Sequence, residues 1–172
     1  MTTPSDTSTT LSTWSLDREV VIMRVIDAPQ ESLYAAWIDP AGFGSWFGPE
    51  GYTTEVSEMD TRVGGLARFT MTFTDGTVYT NRYSYVEVVP NERLIMIHGS
   101  DIDDDPGRFR VTVTFDEQSD GKTVVTLRQL HPTVEQRNAV IGFGAVELGL
   151  QTLDKLEQFI QVVFSERKEG NL

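Results

Sequence analysis

The feature that most constrains this chain is a change of hydrophobic period near residue 131. Before it, Phe69, Met71 and Phe73 alternate with Arg68, Thr70 and Thr72, and Phe109, Val111, Val113 and Phe115 alternate with Arg110, Thr112 and Thr114. A period of two places each apolar set on one face of a strand. After it, from Pro132 to about Ser165, Phe143, Val146, Leu150, Leu153, Leu156, Ile160 and Val163 recur at three- and four-residue steps. That spacing is one stripe of a helix, roughly 45 to 50 Å long. A sheet with one wet face has to bury the other, and this helix is the only segment long enough to cover it.

The remaining elements follow from local signals. Trp14 to Asp27 reads as a first strand, rich in β-branched Val20, Val21, Ile22, Val25 and Ile26, and Ala28-Pro29 ends it. Gln30 to Ile38 reads as a short helix with Leu33, Ala36 and Trp37 on one face, stopped by Asp39-Pro40. Ala41 to Trp46 reads as a second, followed by an aromatic knot of Phe43, Trp46 and Phe47 before Gly48-Pro49. Six strands follow, at Tyr52–Met59, Leu66–Phe73, Val78–Val89, Arg93–Gly99, Phe109–Asp116 and Thr123–Leu130. Asp75-Gly76, Pro90-Asn91-Glu92 and Asp120-Gly121 supply turns between them. The expected architecture is α+β: a curved seven-stranded antiparallel sheet around a long C-terminal helix, with two short helices after the first strand. Residues 1–13, dominated by Ser and Thr, read as a flexible tail. Residues 14–168 read as the folded domain and 169–172 as a flexible end.

Charge and composition narrow the function. Fourteen Lys and Arg stand against 26 Asp and Glu, a formal charge of −12 over 172 residues, with no Lys/Arg-rich run. Such a surface repels nucleic-acid phosphates and anionic membranes. No apolar run approaches the about 18 residues of a membrane helix, so membrane insertion is not expected. With no cysteine and no secretory leader pattern, the expected location is cytoplasmic.

Candidate chemistry is sparse. The two histidines, His98 and His131, are far apart in sequence, and no HExxH pattern is present, so no metal site is expected. Asp101, Asp103, Asp104 and Asp105 fail the calcium-loop pattern, with Pro106 and Thr112 where Gly and Glu belong; they read as a solvated acidic loop. GxGxxG, GxxxxGK[ST] and GxSxG are absent, so no cofactor is expected. A more interesting group is Arg68, Tyr79, Asn81, Tyr83, Tyr85, His98, Arg128 and Glu147. Strand parity turns Arg68 outward and gives Tyr79, Asn81, Tyr83 and Tyr85 a common face, either as ligand contacts or as core support. His98 is either a hydrogen-bonded strand residue or an acid/base. Glu147 is either a surface residue or a carboxyl whose pKa burial would raise. His98, Glu147 and Tyr83 are the catalytic candidates.

Several stretches together resemble a known family. These are Ile26-Asp27-Ala28-Pro29-Gln30-Glu31, Tyr34 to Pro40, Trp46-Phe47-Gly48-Pro49, Asp60 to Gly65, Val88 to Leu94 and Leu153-Asp154-Lys155-Leu156. In order and spacing they resemble the START-like SRPBCC superfamily. More narrowly, they are similar to the bacterial activator of heat-shock-protein-ninety ATPase homologues. The resemblance implies a helix-grip fold with a cavity between curved sheet and C-terminal helix. It also implies a hydrophobic or amphipathic small-molecule ligand. A polyketide cyclase or dehydratase is the enzymatic alternative. A chaperone-interaction module with a role in stress response is what the group's name implies. The expected lining is Trp46, Phe69, Met71, Phe73, Tyr83, Tyr85, His98, Val111, Val113, Phe115, Phe143, Val146, Glu147 and Leu150. Relatives often carry Trp where this chain has Leu150, so a cavity enlarged at Leu150 is expected. Both monomer and homodimer are compatible with the class.

Overall fold

The computed structural model describes Leu11 and residues 15–170. Most of the expected tail, and Trp14, lie outside them; Leu11 is buried, and its carbonyl accepts from Arg110 Nη1 at 3.4 Å. A 3-10 turn at Leu16–Arg18 leads into β1 (Glu19–Ile26), then α1 (Gln30–Ile38) and α2 (Pro40–Trp46). Six strands follow: β2 (Tyr52–Met59), β3 (Leu66–Phe73), β4 (Val78–Val89), β5 (Arg93–Ser100), β6 (Phe109–Glu117) and β7 (Thr123–Leu130). The chain closes with α3 (Val134–Gly142) and α4 (Ala145–Glu169). The seven strands form one antiparallel sheet in the order β1-β7-β6-β5-β4-β3-β2, so chain-adjacent strands pair from β2 to β7, and β1 closes the far edge against β7.

The expected turns carry the hairpins. Asp75 Oδ1 accepts from Thr77 N at 2.8 Å, fixing the β3–β4 turn, and Gln118 N donates to Lys122 O across the β6–β7 turn. Asp39 has two roles: it ends α1 and caps α2, its carboxylate accepting from Gly42 N at 2.9 Å. Pro40 therefore starts a helix as well as stopping one, since the first turn does not need its N–H.

The concave face carries the expected parity. Phe69, Tyr83, Tyr85, Met96, Val111, Val113 and Phe115 are all buried, and cross-strand pairs such as Tyr83 with His98 and Met96 with Val111 continue one face across the sheet. The outer face carries Arg68 and Arg82, both paired with Asp101, and Arg82 also with Asp103. The acidic loop is thus partly tied down rather than wholly solvated. Asp105 accepts from Ser100 N and Gly107 N.

The C-terminal segment departs from expectation. A single helix from Pro132 is not formed. Thr133 caps α3 through Gln136 N at 3.1 Å, and the helix breaks after Gly142, where Gly144 takes φ +101°. Only Gly adopts that left-handed conformation without a Cβ penalty. The bend also rotates the following helix. Leu153, Leu156 and Ile160 face the core as expected, but upstream the inward positions are Ala145, Leu148, Gly149 and Thr152, leaving Val146 and Leu150 outside. Gly149 has a packing reason: a Cβ there would lie 2.2 Å from Ile22 Cδ1.

Candidate functional site

Two layers of side chain meet between sheet and helix, and they do not fill the space evenly. Toward α1 and α2 the aromatic side chains pack closely, and the space left there is a surface groove of about 190 Å³ between α1, α2 and the C-terminal half of α4, lined by Ala36, Gly42, Phe159, Ile160 and Val163. Trp37, Phe43, Trp46, Phe47, Phe69 and Tyr83 contact one another edge-on or stacked, with Phe43 and Phe47 rings 4.3 Å apart. Trp46 Nε1 donates to Ala36 O at 3.0 Å, satisfying its one polar group. Under the N-terminal half of α4 a cavity of about 190 Å³ is left, itself partly open to solvent. Its floor is Met71, Tyr83, His98, Phe109, Val111, Leu127 and Gln129; its roof is Ala145, Leu148, Gly149 and Thr152; Phe47-Gly48-Pro49 forms one wall.

Few polar atoms point into this space. Tyr83 is only 2% exposed, and its hydroxyl has no hydrogen-bond partner among the described residues. Burial, and then neighbouring Tyr85, push its pKa well above the ordinary phenol value, so it stays a donor. His98 is enclosed by the rings of Phe69, Tyr83 and Phe109, and the surface it keeps opens onto the cavity. Its Nε2 lies 3.0 Å from Asn81 Oδ1, while Asn81 Nδ2 donates to Tyr79 O. That pattern assigns the proton to Nε2 and leaves Nδ1 as an acceptor. Desolvation lowers the His98 pKa to about 4, with Asp105 opposing; the ring is neutral at pH 7 and holds no transferable proton surplus. Thr152 Oγ1 is already committed to Leu148 O at 2.9 Å. Phe109 also stacks on His131, whose pKa falls to about 4 through burial and then Arg137.

The structure brings Met71, Tyr83, His98 and Val111 of the expected set to the cavity. Trp46, Phe69, Tyr85, Val113 and Phe115 are buried in the packed interior beside it. Phe73 sits with Tyr52 and Tyr79 at the far end of β3. Phe143 is 79% exposed, and Val146, Glu147 and Leu150 point outward, because the break at Gly144 turns that stripe away. Leu150 therefore does not enlarge the cavity; the room comes from Ala145 and Gly149. Gln129, Phe109 and Leu148 were missed, although the Phe109 alternation in β6 and the β7 register carried the signal for two of them. Of the three catalytic candidates, Tyr83 and His98 meet at the cavity and Glu147 is outside it. A larger hollow of about 520 Å³ on the outer face is lined by Arg82, Arg108, Asp103 and Asp105. It is open to solvent, and Arg82 is already spent on Asp101 and Asp103 there.

A seven-stranded antiparallel sheet holding a long C-terminal helix, with short helices after the first strand, defines the helix-grip fold. Residues 27–161 match the family described as Activator of Hsp90 ATPase homolog 1-like protein, and the chain belongs to that family. No curated protein matches it significantly. Among solved structures, a Chromobacterium violaceum protein is 26% identical, with a TM-score of 0.68 over 84% of this chain and 98% of the other. A Nitrosomonas europaea protein at 20% identity has a TM-score of 0.78 over 88% and 99%. DynU16, from the dynemicin biosynthetic locus, shares the fold at 20% identity and TM-score 0.58, over 84% of this chain and 47% of that one. Among the described residues no helix is long and apolar enough to cross a membrane.

Proposed function

We propose that this protein binds a small amphipathic molecule of about one ring in the cavity under α4. The carrying observation is that Tyr83, 2% exposed as a residue and with no protein hydrogen bond to its hydroxyl among the described residues, lines a mostly apolar space of about 190 Å³. Apolar cavities of roughly 150 Å³ take up benzene-sized ligands, so the volume suits one ring and is too small for a fused polyketide. Binding would remove apolar ligand surface from water at about 25 cal/mol per Å². The Tyr83 O–H and the His98 Nδ1 would orient one polar substituent. Gln129 adds an amide at the rim.

A cyclase or dehydratase needs a proton donor and acceptor converging on the substrate. Glu147 is outside the cavity, so no carboxyl group joins Tyr83 and His98 there, and we favour binding over catalysis. DynU16 shares only the fold and lends no activity. The family's name carries the reading of a chaperone-interaction module, but no observed surface feature favours it.

Native mass spectrometry of unheated, freshly extracted protein, followed by NMR titration with p-cresol and toluene, tests the proposal. The expected result is saturable shifts at Tyr83, His98 and Leu148, larger for p-cresol. No retained small molecule and no saturable shift with either probe would overturn it.

A further inference from the structure

The two edges of the sheet are treated differently. β2, at one edge, carries Glu55 and Glu58 and a register shift between Val56 and Glu58. Charges and bulges of this kind are how natural sheets keep edges from pairing. β1, at the other edge, has no Pro, no Lys and no register shift.

The β1–β7 register determines which backbone groups β1 leaves free. Arg18 O accepts from His131 N, so even-numbered residues bond toward β7 and odd-numbered ones point their N–H and C=O groups away. Arg137 Nε from α3 donates to Glu19 O at 3.1 Å, as that parity requires. Val21, Met23 and Val25 have no such cover among the described residues. Their side chains are 45%, 58% and 56% exposed.

We infer that β1 is a homodimer interface, pairing antiparallel with β1 of a second copy about a two-fold axis at Met23. The odd positions read Val-Met-Val, which is the same in both directions. Val21 then faces Val25 of the second copy, and Met23 faces Met23. Three hydrogen-bonded pairs satisfy all six free groups on each strand. Charge permits this despite the −12 of each chain. Glu19 is paired with Arg128, and Arg24 with Asp154 and Glu157, so the strand presents no unpaired charge.

The helix side agrees. Because Arg24 reaches Asp154 and Glu157, that flank of α4 overhangs β1. Val146 and Leu150 lie on the same flank at helical steps, with Phe143 at the bend before them. With Leu16, these place seven exposed apolar side chains around one edge. Their exposed parts amount to on the order of 800 Å², about the area per partner of a stable interface.

Sedimentation velocity on the full chain over a concentration series is the test. The expected result is a species of twice the chain mass. Met23→Lys opposes two like charges on the axis and should weaken association by on the order of tenfold or more, with circular dichroism unchanged and the concentration dependence of melting reduced. A monomeric wild type, or a Met23→Lys variant that dimerises equally well, overturns the inference. The chain has no cysteine, so a single thiol gives a second readout that does not depend on that variant folding. Met23→Cys should form a covalent dimer under mild oxidation well ahead of Val63→Cys, which sits in the β2–β3 turn at an equally exposed site. Equal rates for the two would likewise overturn it.

Discussion

The two halves of α4 cover the same sheet with different side chains. Over the closely packed half the helix presents Leu153, Leu156 and Ile160, all 3% exposed or less, against Trp37, Phe43 and Phe115. Over the cavity it presents Ala145, Leu148, Gly149 and Thr152 to a floor whose aromatics, Tyr83, His98 and Phe109, are no smaller. The difference lies in the roof. A few missing methylenes on one helix face leave the void, because well-packed walls collapse only partly into space of this kind. One half of the interior is filled by interlocking aromatic rings, and the other leaves the pocket in which the proposed ligand would sit.

The largest effect should come from breaking the closely packed half. Phe43 is fully buried and contacts Trp37, Trp46, Phe47, Phe69 and Tyr83. Phe43→Ala should cost about 3–5 kcal/mol in denaturant unfolding, whereas Leu148→Ala, already beside empty space, should cost no more than about 2 kcal/mol. Equal costs would mean that the two halves are packed alike.

Acid should act on the cavity half. His98 and His131 both have folded pKa values of about 4 against an ordinary 6.5, chiefly through desolvation. The unfolded chain therefore binds more protons between these values. Stability is fully present above pH 6.5 and falls as pH drops toward 4, by at most about 3 kcal/mol per histidine. Asp101 and Asp105 are both held below 3.8. Desolvation opposes that shift in each, but the hydrogen bonds from Arg82 and Arg68, and from Ser100 and Gly107, outweigh it. Their contribution is lost only at lower pH still. Measuring unfolding midpoints from pH 7 to 4 should show a slope that His98→Phe flattens.

How much of this was legible in the sequence depends on which periodicity carried it. Period-two alternation fixes strand faces residue by residue, so Phe69, Met71, Tyr83 and Val111 fell on the concave side as expected, and the Asp-Gly turns set the register. The helix stripe was less secure. Phe143, Val146 and Leu150 are as apolar as Leu153, and their spacing fits one continuous helix. What breaks the pattern is a left-handed Gly144 and a Gly149 that must admit Ile22. Both are tertiary facts: glycine in a sequence permits such contacts without revealing which one occurs. The cavity roof was hidden for the same reason, since small residues carry no hydrophobic signal.

Gly149 gives a sharper test of that roof. Ala is the better helix former by about 1 kcal/mol, but its Cβ would meet Ile22 Cδ1 at 2.2 Å, and overpacking costs about 1–3 kcal/mol. Gly149→Ala should therefore destabilise by about 1 kcal/mol net in thermal unfolding. Ile22→Val removes the Cδ1 atom, so in its presence the same change should become neutral or stabilising. A sign that does not depend on residue 22 would show that contact with β1 does not set the height of the helix.

The smallest expected effect separates the polar atoms of the cavity from one another. Thr152 donates its hydroxyl to Leu148 O within its own helix, whereas the Tyr83 hydroxyl has no protein hydrogen bond among the described residues. Tyr83→Phe should weaken p-cresol binding by about 1 kcal/mol, the net worth of one neutral hydrogen bond, and leave toluene unaffected. Thr152→Val keeps the shape of the roof and should change stability and both affinities by under about 0.5 kcal/mol. If titration calorimetry instead found Thr152 mattering more than Tyr83 for p-cresol, the roof rather than the floor would be orienting the ligand. The difference between the halves of α4 would then be one of chemistry as well as of volume.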